Sequence, residues 1–477
     1  MRRIAIIGGG IAGVTAAYEL ARLARDGAAV EATLFESSSR LGGIVETIRE
    51  GGFIIEGGPD GWVTEKPWAR ELAEELGLSE ELLPSNDATR RTYILKDDRL
   101  QAIPDGMRMM VPTDLAALDE SSLFTSAARQ SFRDEPSRAQ ELKASAPATD
   151  ESVADFVRRH FGPEVLHTIA APLLSGVFGG DVATLSVRAV MAPFVAMERE
   201  HGSLITALQS RAPKNGSNAA IFTTLRSGLA TLIERMVATV PPTWLRMNSN
   251  VAAIGRDETG WTVRCSGNKA TPEHFDELMI ATPVDIARSL LAPHDSYAAG
   301  LLKMEASSAV IIAFALPDAS RFPVPSGFGF LVPPHHASTN GSEGLAAKTP
   351  SRLLAGTFTD QKFNHRVPSG ARLVRAFFGG PTAERMMGCG NDEIASVARL
   401  ELARILGPLP DATITVVRRW PRSLPQYSVG HLERMAELNN RVAAMPGLHL
   451  LGNGYRGVGL PDLVRDARSA ARGVISS

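Results

Sequence analysis

Cysteine is scarce, with only Cys265 and Cys389 in 477 residues. Two thiols cannot make a disulfide framework and give no Cys-x-x-Cys pair for a metal, so no metal site is expected and a reducing cytoplasm suits the chain. Charge of one sign is also in short supply, with 50 Lys and Arg against 52 Asp and Glu. Binding to a phosphate backbone leaves a basic footprint, and its absence argues against nucleic acid as a partner. Long apolar runs are missing too. The N-terminal "MRRIAIIGGG" turns to glycine far short of a signal-peptide core or a membrane span, and no transmembrane helix is expected elsewhere. No internal repeat is evident. The remainder is an ordinary globular composition, 44% hydrophobic and 21% charged, long enough for two or three packed units.

Glycine, by contrast, recurs in pattern. "RIAIIG" reads as a buried parallel strand and runs straight into Gly8-x-Gly10-x-x-Gly13, which opens a helical run over 14–23. In such a turn Gly8 permits the tight bend, Gly10 lets backbone approach a pyrophosphate, and Gly13 lets the helix pack close on the strand. The helix N-terminus, with Ile11 and Ala12 in the glycine turn that leads into it as further cofactor-binding candidates, then offers free N–H groups and a favourable dipole to the phosphates. A second strand, "EATLFE", ends in Glu36, where a carboxylate accepts hydrogen bonds from a ribose. Strand, turn, helix, strand and acid together predict dinucleotide binding. A tight β–α turn without ligand is the plainer alternative.

The residues just past Glu36 separate the dinucleotides. "SSSRLGGIVETI" places Ser37, Arg40 and the pair Gly42-Gly43 after the acid, and "FIIEGGPDGW" adds Gly58, Pro59, Asp60 and Gly61. The pattern resembles the FAD-dependent amine oxidase and desaturase superfamily, which carries E-x-x-x-R-x-G-G here. The resemblance implies FAD rather than NAD, held by these residues together with Val251. It also assigns the far end of the cofactor to a second glycine turn, "GVGLPDLV", where Val458, Gly459 and Leu460 offer backbone to the flavin ring and Pro461 opens the helix. Relatives commonly have serine after G-P-D, whereas this chain has Gly61, which puts a hydroxyl contact there in doubt.

Four further stretches narrow the family: "APLLSGVFGGDVATLSVRAVMAPF", "GFGFLVP", "GTFTDQKFNHRVPSGARLVRAFFGG" and "RRWPRSLPQYSVGHLERM". With the cofactor segments they resemble the bacterial protoporphyrinogen and coproporphyrinogen oxidase family of heme biosynthesis from end to end. That resemblance implies an oxidase that converts coproporphyrinogen III or protoporphyrinogen IX to the porphyrin. A porphyrinogen loses six hydrogens in this change, which requires three two-electron transfers to FAD, with oxygen as acceptor and peroxide as by-product. No catalytic side chain beyond the flavin is implied. Substrate-binding positions fall on Arg91 for a propionate, with adjacent Arg90 leaving the register open by one, on Gly176 for close backbone approach, and on Leu331 and Phe358 for the apolar faces. Trp420 falls at the flavin edge. His431, at a helix start, is left with a cap or core role as readily as a base. Transient contact with neighbouring heme-synthesis enzymes is a further expectation.

The expected fold is α/β, in the broader sense a multi-domain α+β chain, with a Rossmann-like FAD-binding domain, a mixed-sheet substrate domain and a helical domain. Residues 1–85, 217–285 and 415–477 are assigned to the first, 86–112 and 286–414 to the second, and 113–216 to the third. Within the third, the polar stretch "SAARQSFRDEPSRAQELKASAPATDES" reads as a mobile or poorly packed connection. "DGMRMMVPTDLAAL" reads either as a peripheral membrane-contacting patch or as the lining of a substrate channel. An amine oxidase is the competing enzyme. It would usually show a flavin-linking cysteine near the C-terminus and a lysine over the flavin, yet the last 88 residues hold no cysteine and "SSAVIIAF" holds no lysine. FAD is accordingly expected to be non-covalent. A non-catalytic flavoprotein that serves a partner enzyme is the alternative of another class.

Overall fold

The apolar N-terminal run forms the strand Arg2–Ile7, with Ile4, Ala5 and Ile6 fully buried, at the centre of a five-stranded parallel sheet in a computed structural model of the chain. Its order is Leu245–Arg246, Val30–Phe35, Arg2–Ile7, Glu277–Ile280 and Leu448–Leu450. The structure describes residues 1–211, 220–267, 271–334 and 352–476. The chain divides into two units, Met1–Ser85 with Ala220–Glu305 and Glu433–Ser477, and Asn86–Ala219 with Ala306–Leu432.

In the first unit the helix Ile11–Arg25 leaves the sheet at the first glycine turn and the helix Leu460–Ser476 leaves at the last. Small residues decide how they pack. Ala12, Ala16 and Ala17 let the first helix lie against the sheet on one side and against Leu460, Leu463, Val464, Ala467 and Ala471 of the second on the other. Every residue from Ile11 to Ala21 is buried. The last helix is joined to the first at Glu19, whose fully buried carboxylate receives Arg22 at 2.7 Å, Arg468 at 2.9 Å and Arg472 at 2.7 Å.

The second unit is built on a seven-stranded mixed sheet: Ile414–Pro425, Ala306–Leu316, Arg372–Gly379, Ala355–Phe358, Gly329–Leu331, Thr92–Lys96 and Arg99–Ala102. Side chains alternate across it, so each ladder partner shares a face with its opposite residue. One row runs Arg418, Ile311, Phe377, Ala355, Leu331, Ile94. The other face carries Phe314, Val374, Phe330 and Phe358, buried under Ala383, Met386, Ile394, Ala398 and Leu402 of the helices Gly380–Met386 and Asn391–Leu406.

Three expectations change. The sheet and helical blocks fall in one unit. Residues 286–305 belong with the first unit, because the helices Val284–Leu291 and Ser296–Leu301 pack with Ile254, Trp261 and Leu278. Residues 415–432 belong with the second, because Ile414–Pro425 pairs with residues 306–315 of the strand Ala306–Leu316, with one register shift between Ser307 and Ala309. The boundary placed at 216–217 lies outside the described residues. The polar stretch over 126–152 is packed rather than loose: it folds into the helices Ser126–Asp134 and Ala139–Ser145, with Phe132 and Leu142 fully buried. Its apolar residues are few but sit on one side, and its Glu135 is satisfied inside the core by the Leu204 N–H at 2.7 Å, the Ser203 hydroxyl at 2.5 Å and His160 Nδ1 at 3.0 Å. His160 also meets Glu198 through Nε2 at 3.0 Å; burial would lower its pKa, but the two carboxylates raise it. Met110, Val111 and Leu118 of "DGMRMMVPTDLAAL" are core residues, and Met109 is its one exposed large hydrophobic. Among the described residues no helix is long and apolar enough to cross a membrane.

Candidate functional site

Three glycines of the first turn are glycine for different reasons. Gly8 has φ +105, and a Cβ there would come within 2.5 Å of the Ala281 carbonyl oxygen. At Gly13 a Cβ would sit 1.9 Å from the Gly8 carbonyl oxygen, so the helix can approach the strand only without a side chain. Gly10 differs. Its φ of -68 and ψ of 178 suit any residue, and a Cβ would meet nothing within 4 Å. Packing therefore does not require glycine at this position. Open space lies there at the N-terminus of a 15-residue helix whose first turn holds no acidic residue, a fit for a bound pyrophosphate.

The loop after Glu36 folds back onto this turn. Gly42 N–H donates to the Gly9 carbonyl at 2.8 Å, Gly10 and Gly42 form a parallel bridge, and a Cβ on Gly43 would touch the Gly10 Cα at 3.2 Å. Arg40 donates to the carbonyls of Leu41, Gly43 and Val45, bracing the loop. Glu36 accepts from the Gly9 N–H at 2.7 Å and the Ser38 N–H at 2.8 Å, with the Ser37 hydroxyl at 3.4 Å. The carboxylate is thus fixed beside the turn and half-buried, with acceptor capacity left for ribose hydroxyls. Gly9 was missed in the sequence. It holds Glu36, and a Cβ on it would strike Leu41 at 2.4 Å.

The remaining cofactor candidates of this unit flank these residues. Gly58 is held to glycine by Ile44, whose carbonyl oxygen would lie 2.0 Å from a Cβ. Pro59, Asp60 and Gly61 lead from it into the strand Trp62–Val63, and the Asp60 carbonyl accepts from the Thr224 hydroxyl at 2.8 Å. Val251 is buried at the start of the strand Val251–Asp257. Val458 and Gly459 are half-buried just before the helix Leu460–Ser476, with Ile11, Ala12 and Leu460 in the common core.

The second unit brings together Gly176 and Leu331: a Cβ on Gly176 would lie 3.2 Å from Leu331 Cδ2. Both are accessible, and the neighbouring Val177, 56% exposed, adds an apolar side chain that the sequence did not single out. Arg91 lies three residues before Ile94, the ladder partner of Leu331. It is exposed and makes no ion pair among the described residues, whereas Arg90 leans towards Asp87 at 3.9 Å. Trp420 shares its sheet face with Leu331, opposite Ala309. Phe358 does not belong with them. It faces the other way, fully buried beside Phe330 with ring centroids 6.1 Å apart, and offers no surface to a macrocycle. His431 is also fully buried, stacked on Tyr427 at 3.9 Å, and takes the core role. The Gln426 amide donates to the Phe178 carbonyl at 2.8 Å, so the P-Q-Y motif fastens the Gly176 helix to the sheet.

The parallel sheet, the open glycine turn and the carboxylate of Glu36 fixed beside it make the arrangement of a nucleotide-cofactor-binding unit. The chain belongs to the flavin containing amine oxidoreductase family, whose model matches residues 11–475. It is 29% identical to coproporphyrinogen III oxidase of Bacillus subtilis (strain 168), covering 98% of this chain and 97% of that one. It is 31% identical to coproporphyrinogen III oxidase of Mycobacterium bovis, covering 100% and 98%. Among solved structures it resembles a protein assigned as a protoporphyrinogen oxidase from Exiguobacterium sp. 255-15, with a TM-score of 0.85 at 29% identity over 100% and 99% of the two chains. A putrescine oxidase, 15% identical with a TM-score of 0.68, shares the fold. The protein is a flavin-dependent oxidase.

Proposed function

We propose that the protein oxidises a porphyrinogen, coproporphyrinogen III in the first place, to the porphyrin in heme biosynthesis, with non-covalent FAD and molecular oxygen. The observation that carries this reading is similarity along essentially the whole chain to coproporphyrinogen III oxidases of several bacteria. When bound, FAD supplies the acceptor for each pair of electrons and passes them to oxygen. The chain's own residues do the rest. The helix at Gly10 holds the pyrophosphate and Glu36 the ribose, while Arg40 and Gly9 keep the surrounding loop and carboxylate in place. Gly176 and Leu331 provide the apolar surface for a flat macrocycle, and Trp420 flanks the same sheet face. Arg91 binds a propionate.

Side-by-side turnover of coproporphyrinogen III, protoporphyrinogen IX and a simple primary amine, monitored by porphyrin fluorescence and peroxide, tests the proposal. Coproporphyrinogen III is expected to give the highest kcat/KM; oxidation of the amine alone would overturn it. Arg91→Ala is expected to keep its flavin and lower kcat/KM by about one to two orders of magnitude, the value of a charge-assisted hydrogen bond of about 1.5–3 kcal/mol. Arg91→Lys recovers only part, because an ammonium lacks the planar fork. Arg90→Ala should change little, since its half-buried contact with Asp87 is long at 3.9 Å. If Arg90→Ala proves the damaging change, the anchor is Arg90.

A further inference from the structure

The second glycine turn carries a charge that works against its assigned task. Asp462 stands in the first turn of the helix Leu460–Ser476, 5% exposed, and the turn is folded onto its carboxyl group. A Cβ on Gly457 would lie 2.7 Å from Asp462 Cγ, and one on Gly459 3.2 Å from Oδ2. A helix N-terminus favours negative charge placed beside it, but a buried carboxylate already there repels a second one. Two cations answer it: Lys66 Nζ at 2.6 Å from Oδ2 and Arg465 Nη1 at 3.5 Å from Oδ1. Arg465 is shared with Asp466 at 2.7 Å and lies over the Trp68 ring at 4.6 Å. Lys66 has one ion-pair partner among the described residues and lies just past the strand Trp62–Val63 that follows Gly58–Gly61, so the pair joins two stretches of chain 396 residues apart.

We propose that the Lys66–Asp462 ion pair is a positioning and charge-compensating device for the flavin: Asp462 templates the turn 457–460, and Lys66 cancels its charge so that this end of the site accepts the negative charge of the reduced ring. The inference rests on FAD occupying the site under Proposed function. The pair acts through the turn.

The flavin-loaded protein and its Lys66→Met, Asp462→Asn and double variants are compared for FAD dissociation constant and flavin midpoint potential. Each single change is expected to weaken FAD binding about tenfold, and the double variant by no more than the larger single effect. The potentials should move in opposite directions, down for Lys66→Met, where the carboxylate is left less compensated, and up for Asp462→Asn. A turn that is merely loosened would not reverse sign between the two. Should Asp462→Asn fail to fold, Lys66→Met alone decides, because its lysine is 45% exposed and only its charge is at issue. Unchanged potential and affinity in Lys66→Met overturn the proposal. Wild-type protein without FAD overturns the underlying reading instead.

Discussion

Gly10→Val folds, and it purifies colourless. The contrast with its neighbours carries this expectation. A side chain at Gly13 collides with the Gly8 carbonyl at 1.9 Å, so Gly13→Ala should lose the fold, while a Cβ at Gly10 meets no protein atom within 4 Å on a backbone that any residue adopts. The only thing a side chain at Gly10 displaces is what belongs in the open space at the helix N-terminus. FAD affinity should fall about a hundredfold or more, roughly 2.7 kcal/mol, with porphyrin formation lost in step. Apo wild type and Gly10→Val should share one circular dichroism spectrum and one urea midpoint. Flavin content near that of wild type in Gly10→Val would show that the pyrophosphate lies elsewhere.

Glu19→Ala is the severe stability change. Its carboxylate is fully buried and serves three arginines at once, so its removal leaves Arg22, Arg468 and Arg472 without their shared partner. Breaking a buried pair from one side costs about 3–5 kcal/mol. The partial exposure of Arg22 and Arg472, 31% and 53%, puts the expected loss near the lower end, about 3 kcal/mol, read as a drop in the urea midpoint. The same carboxylate makes stability depend on pH. Burial alone would raise the Glu19 carboxyl, but hydrogen bonds from Arg22 and Arg472 and the charge of Arg468 outweigh it and hold the group below its ordinary value. The stability it contributes is therefore complete above that ordinary value and is lost as pH falls through the lowered one. Glu19→Gln should flatten the acid limb of the stability profile. An unchanged acid limb would remove Glu19 as the link between the first and last helices.

The glycine turn and the carboxylate beside it were legible in the sequence because their pattern is local. A strand, a glycine turn and a helix N-terminus lie within two dozen residues, and Gly8, Gly10, Gly13 and Glu36 are readable from period and turn rules alone. Gly9 went unread because its role, holding Glu36, joins two strands across 27 residues. Phe358 shows a different limit. Which face of a strand looks outward depends on ladder register, and one position decides between the Leu331 face and the core beside Phe330. The polar stretch 126–152 misled through composition, since Phe132 and Leu142 suffice to dock its helices once Glu135 finds His160 and Ser203, partners that composition does not display. Lys66 and Asp462 escaped because an ion pair between positions 66 and 462 has no local signature.

Oxygen uptake and peroxide release, counted against coproporphyrin formed by the flavin-loaded protein, test the central claim most directly. Six hydrogens leave the porphyrinogen in pairs, so three oxygens should be consumed and three peroxides released for each porphyrin, with none of the three signals in Gly10→Val. Porphyrin formed at full rate without oxygen or another acceptor, or no porphyrin from protein that carries its full flavin, would contradict the account.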